Sequence, residues 1–78
     1  MVKVVVNLND IEKLKSFVNV VSTFEADFDA VRGRYIIDAK SIMGMMSLNL
    51  SKPLDIVMHD HDNEKEVARF LEVAKNYQ

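Results

Sequence analysis

Apolar residues along this chain recur every second position, then every third or fourth, then every second again, and this changing period narrows the folds open to it. A strand sends successive side chains to opposite faces, whereas a helix returns to one face every three or four residues. Val2, Val4, Val6 and Leu8 alternate with Lys3, Val5 and Asn7, which predicts a β-branched first strand. Ile11, Leu14, Phe17, Val18 and Val21 then recur at helical spacing. Asn9 followed by Glu12 reads as a capping box, so a helix is predicted over residues 10–22. From Phe24 the period returns to two. Phe24, Ala26, Phe28 and Ala30 face one way and Glu25, Asp27 and Asp29 the other, as in a half-buried strand with a solvated acidic face. Gly33 between two arginines supplies a turn, and Tyr35, Ile37 and Ala39 resume the alternation, so residues 24–39 read as a hairpin. Ser41 caps a short methionine-rich helix over Ile42 to Leu48 that Gly44 interrupts. After Pro53, the residues Leu54, Ile56 and Met58 alternate with Asp55, Val57 and His59 as a fourth strand. Asn63 and Glu66 form a second capping box ahead of Val67, Phe70, Leu71, Ala74 and Tyr77, the apolar face of a last helix. The order βαββαβα implies an α+β domain, an antiparallel sheet with helices on one face, because the strands alternate and so keep one wet side.

The 78 residues carry no linker, repeat or low-complexity stretch, so residues 1–78 read as a single domain. A chain of this length buries only about two-thirds of its unfolded surface, which argues against a large enclosed catalytic cavity and for function on the surface. The formal charge of -2 and the lack of a Lys/Arg run count against direct nucleic-acid binding. There is no cysteine, hence no disulfide framework and no thiolate chemistry. Neither a signal-like region nor an uninterrupted apolar span of about 18 residues is present, so a cytoplasmic protein off the membrane is expected.

The stretch Asp38-Ala39-Lys40-Ser41-Ile42-Met43-Gly44-Met45-Met46-Ser47-Leu48 closely resembles the segment around the regulatory serine of the HPr phosphocarrier family of the bacterial sugar phosphotransferase system. Ser22-Thr23-Phe24 falls where that family ends its first helix, and the resemblance runs over nearly the whole chain. It implies an open-faced β-sandwich with a four-stranded sheet of order 1-4-2-3. The family's phosphoryl-accepting site is a Gly-x-His-Ala-Arg-Pro pattern at the start of the first helix. The corresponding residues here are Leu8-Asn9-Asp10-Ile11-Glu12-Lys13, with Asp10 at the histidine position, Glu12 at the arginine position and Lys13 at the proline position. An imidazole can hold a transferable phosphoryl group, and a neighbouring arginine at a helix N-terminus steadies its charge. Asp10 and Glu12 reverse that field, so the carrier site is degenerate and no enzyme activity is expected. In this respect the chain looks like the family's Crh-like members, which lack the histidine and keep the serine.

Ser41 stands at the position of the family's regulatory phosphorylation site, beside Lys40. Ile42, Met43 and Met46 correspond to the apolar patch with which family members dock protein partners, and flexible methionines suit several partner shapes. Helical spacing requires Met45 and Leu48 to turn away from Met43 and Met46, so the helix divides between core and patch. His59, Asp60, His61 and Asp62 have ligand chemistry, but two histidines without further placed ligands fall short of a closed site, and neither metal nor cofactor is expected. Val5, Ile36 and Val57 can form an apolar strip on the open sheet face, a route to a homodimer. Three functions stay open: a regulatory interaction module switched at Ser41 by an HPr kinase and bound by a transcriptional regulator or metabolic enzyme, a working phosphocarrier, and a scaffold that keeps only the fold.

Overall fold

The computed structural model describes residues 1–59 and 62–78. The elements follow in the order β1 (Val2–Val6), α1 (Ile11–Val21), β2 (Phe28–Arg32), β3 (Tyr35–Asp38), α2 (Ile42–Met46), β4 (Leu54–Met58) and α3 (Glu64–Ala74), which tightens into a 3₁₀ turn at Lys75–Tyr77. The strands form one antiparallel sheet of order β1-β4-β2-β3. This is the expected open-faced architecture.

Leu54, Ile56 and Met58 of β4 are buried while Asp55 and Val57 are half-buried, the alternation expected of a strand with helices on one side only. Phe28 and Ala30 of β2 and Val6 of β1 join them, and Leu14, Phe17, Val18, Val21, Phe70 and Ala74 close the core from α1 and α3. Phe28 and Phe70 lie 4.8 Å apart between ring centroids, and Phe24 meets Phe28 edge-on at 5.4 Å. Such pairs add about 0.5–1.5 kcal/mol beyond the area they bury. Phe17 meets Tyr77 edge-on at 5.1 Å, and the Asn7 amide donates to the Tyr77 carbonyl, so the end of α3 is tied to the end of β1.

Four expectations shift. First, β2 begins at Phe28 and not at Phe24. Phe24 and Ala26 are buried as the alternation predicts, but the Glu25 and Ala26 amides donate to the Glu66 carboxylate of α3 rather than to a neighbouring strand. A segment whose amides are taken by a side chain has no ladder to join. Glu25, Asp27 and Asp29 accordingly do not form one uniform strand face, and Asp29 is half-buried. Second, the cap of α1 is Asp10, one residue after Asn9, and its carboxylate accepts from the Lys13 amide at 2.8 Å. Third, Ile11 and Leu71, expected on core-facing stripes, are 43% and 42% exposed because each sits at the rim of its helix's buried face. Fourth, α2 ends at Met46 and not at Leu48, where Ser47 returns its amide and hydroxyl to the Gly44 carbonyl. The β2–β3 turn is as expected: Gly33 at φ +57° is followed by Arg34 at negative φ, so the positive angle stands only at the first turn position, which glycine accepts without strain.

Candidate functional site

At the start of α1 the Asp10 backbone is extended (φ −141°, ψ 160°), and this turns its carboxylate back onto the first helical turn. Asp10 thereby satisfies an amide the helix leaves unpaired, and Glu12 adds a second negative charge near the positive end of the dipole. The Lys13 ammonium reaches Asn9 Oδ1 at 3.5 Å. No arginine contacts Asp10 or Glu12 among the described residues: Arg69 stacks 3.8 Å above the Phe24 ring and donates to Thr23, and Arg32 donates to backbone carbonyls. The arrangement is an acidic helix cap, with its carboxylates at the helix end whose dipole favours negative charge.

The second candidate surface is α2. Asp38 Oδ1 accepts from the Lys40 amide and the Asp38 carbonyl from the Ser41 amide, a tight turn that delivers Ser41 to the cap position. The Ser41 hydroxyl oxygen accepts from the Gly44 amide at 3.2 Å and is half-buried. Lys40, adjacent in sequence, aims elsewhere: its ammonium donates to the Phe24 carbonyl at 2.9 Å and lies 5.9 Å from the Phe28 ring centre. Beyond the cap the helix divides as its spacing requires. Met45 is fully buried, Leu48 is half-buried, and Met43 and Met46 are 79% and 49% exposed. Ile42 packs against the core and is half-buried, so it sits at the base of the patch rather than on its summit. Ile11 adds an exposed apolar side chain in the first turn of α1, the helix packed beside α2. Sequence periodicity hid Ile11 because it falls on the stripe that leads into the core.

His59 closes β4. Its amide donates to the Asp27 carbonyl and its Nε2 lies 2.5 Å from Asp29 Oδ2, a pair that spacing along the chain could not reveal because 30 residues separate the partners. Register also sets Asp29 directly opposite Asp38, so the carboxylate that meets His59 has a second carboxylate across the strand pair. Asp60 and His61 lie outside the described residues, and among those described no group of three or more side chains is placed to hold a metal ion. On the open face, register puts Val5 opposite Asp55, Asp55 opposite Val31, and Val31 opposite Ile36, while Val57 lies between Lys3 and Asp29. The strip of Val5, Ile36 and Val57 is therefore divided by Asp55. No described helix is long and apolar enough to cross a membrane.

A family model described as the phosphorylation site of the HPr component of the phosphotransferase system matches residues 13–76. Asp10 and Glu12 fall just outside the matched stretch and Lys13 is its first residue. Among solved structures, the chain is similar to HPr from Thermoanaerobacter tengcongensis, at 22% identity over 96% of this chain and 92% of that one, with a TM-score of 0.74. It is also similar to the histidine-containing phosphocarrier protein of a mycoplasma, at 14% identity over 91% of this chain and 89% of that one, with a TM-score of 0.67. No curated protein sequence matches it. At these identities the structures establish the fold, and the family match over most of the chain establishes its kinship. This chain belongs to the HPr family of the phosphotransferase system.

Proposed function

We propose that this chain is a regulatory protein-binding member of its family that carries no phosphohistidine and is switched by phosphorylation of Ser41. The observation that carries the reading is the composition of α2, where the serine that caps the helix is followed within two residues by the most exposed methionine of the patch, Met43. Phosphorylation adds about −1.5 to −2 charges at neutral pH. Set at the end of a five-residue helix, that charge alters the amide contact to Gly44 and the electrostatics around Met43 and Met46 together. A methionine surface adapts to several shapes, which suits a module that meets a kinase and then a transcriptional regulator or metabolic enzyme. The location consistent with these roles is the cytoplasm, and the outcome consistent with them is control of carbon use, as in catabolite repression. The acidic cap at Asp10 and Glu12 supports the absence of carrier chemistry, since it leaves neither an imidazole nor a guanidinium at the start of α1.

The test is intact-mass analysis after two separate incubations, one with ATP and an HPr kinase, the other with phosphoenolpyruvate and the first phosphotransferase of the system. The expected result is one phosphate from the kinase reaction alone, lost in Ser41→Ala. Labelling from phosphoenolpyruvate would restore a carrier role. No label in either reaction would leave a scaffold that kept the fold. Docking through Met43 and Met46 is read separately: Met43→Glu is expected to abolish capture of the regulator by the phosphorylated form while leaving the kinase reaction and the melting temperature in place.

A further inference from the structure

The turn between β2 and β3 faces the segment after α2 across a cleft of about 690 Å³, lined by Arg32, Gly33, Arg34 and Tyr35 on one side and Ser47, Leu48 and Asn49 on the other. Two arginines and, among the described residues, no acidic residue line this space, in a chain whose formal charge is -2. Arg32 spends only Nη1, which donates to the Lys52 and Pro53 carbonyls at 3.3 and 3.1 Å. Those neutral acceptors orient the guanidinium, leave its charge uncompensated, and leave its remaining donors unspent. Arg34 is exposed and has neither hydrogen bond nor ion pair to any described residue. The Tyr35 hydroxyl has no partner among the described residues, on a side chain 68% exposed. Asn49 gives its carboxamide oxygen to the Ser51 amide and hydroxyl, so its amide nitrogen is the end left over. The Ser47 hydroxyl already donates to the Gly44 carbonyl. The unspent polar groups around the cleft are thus dominated by donors, two of them cationic, and the Leu48 side chain and Tyr35 ring supply apolar wall.

Forked guanidinium donors match the oxygens of a phosphate or carboxylate, and a concave, singly signed lining concentrates such an anion beyond what scattered surface charges do. The volume is that of sites for small molecules rather than of macromolecular interfaces. The geometry points to a binding site for a small phosphate ester, with Arg32 and Arg34 on its phosphate and Tyr35 and Leu48 against its organic part. Neither Ser41 nor Asp10 lines the cleft, so the proposal does not rest on the regulatory reading.

The experiment is a backbone amide NMR titration of the full chain at fixed ionic strength with phenyl phosphate and with inorganic phosphate. Phenyl phosphate is expected to shift the Gly33, Arg34, Tyr35, Leu48 and Asn49 signals saturably, with a roughly millimolar dissociation constant, and inorganic phosphate to bind there more weakly for want of an apolar part. Because Arg34 makes no hydrogen bond or ion pair to any described residue, Arg34→Ala is expected to leave the protein folded and to weaken phenyl phosphate binding about tenfold. Shifts that do not saturate, that appear equally at Lys13 and Lys15, or that survive Arg34→Ala unchanged would overturn the assignment.

Discussion

Asp10 does two things at once. It closes the first turn of α1 through the Lys13 amide, and on the proposed reading it places a carboxylate where the family pattern has an imidazole. The first role makes Asp10→Ala destabilising by about 1 kcal/mol, the usual loss on removing an N-cap, which urea unfolding would detect as a lower midpoint at unchanged slope. The second makes Asp10→His by itself a poor phosphoryl acceptor, since Glu12 keeps negative charge beside it. Combining Asp10→His with Glu12→Arg and Lys13→Pro is expected to give labelling from phosphoenolpyruvate that the single variant lacks, read by intact mass. His59 and Asp29 are a different case. Both are part-exposed, so Asp29→Asn is expected to change stability by less than about 1 kcal/mol, and any change to shrink in high salt.

At the scale of elements, α2 depends on Gly44 for its place on the sheet. A Cβ there would come within 2.7 Å of Ile37 Cγ2 and 3.3 Å of the Ser41 hydroxyl oxygen, so the glycine is what lets this short helix lie close to β3. Gly44→Ala raises helix propensity but is expected to destabilise the protein by roughly 1–3 kcal/mol through that overlap and to disturb the Ser41 cap, seen as a lower melting temperature and shifted Ser41 and Met43 amide signals. The division of α2 into buried Met45 and exposed Met43 and Met46 followed from helical spacing, which separates the two groups, together with the family resemblance, which put Met43 and Met46 on the patch. The end of the helix did not, because Ser47 folds its own hydroxyl onto the Gly44 carbonyl, a local choice that apolar pattern does not encode. The start of β2 was misplaced for a related reason. Alternation reports which side chains are buried, and Phe24 and Ala26 are buried, but strand membership requires a backbone neighbour that Glu66 replaces.

In the whole molecule, the core is pinned where β2 and α3 meet the turn after α1. Phe24, Phe28 and Phe70 pack there within 4.8–6.3 Å of one another, and Arg69 covers the outer face of Phe24. Phe70→Ala is expected to cost about 3–5 kcal/mol, a large share of the stability of a chain this short, and calorimetry would register it as partial or complete loss of the cooperative transition. The amino-acid sequence by itself determined the order of elements, the helix faces except at their rims, the glycine turn and the absence of histidine and arginine from residues 8–13, because each depends on residues close together along the chain. Its resemblance to a family also supplied the strand order. Only the tertiary structure decided that Asp10 rather than Asn9 caps α1, that Lys40 turns to Phe24 instead of Ser41, that His59 meets Asp29, that Asp55 splits the open face, and that two arginines and a tyrosine border a cleft. These are contests among hydrogen-bond partners and neighbours brought together by packing, and periodicity, which records burial, carries no term for them.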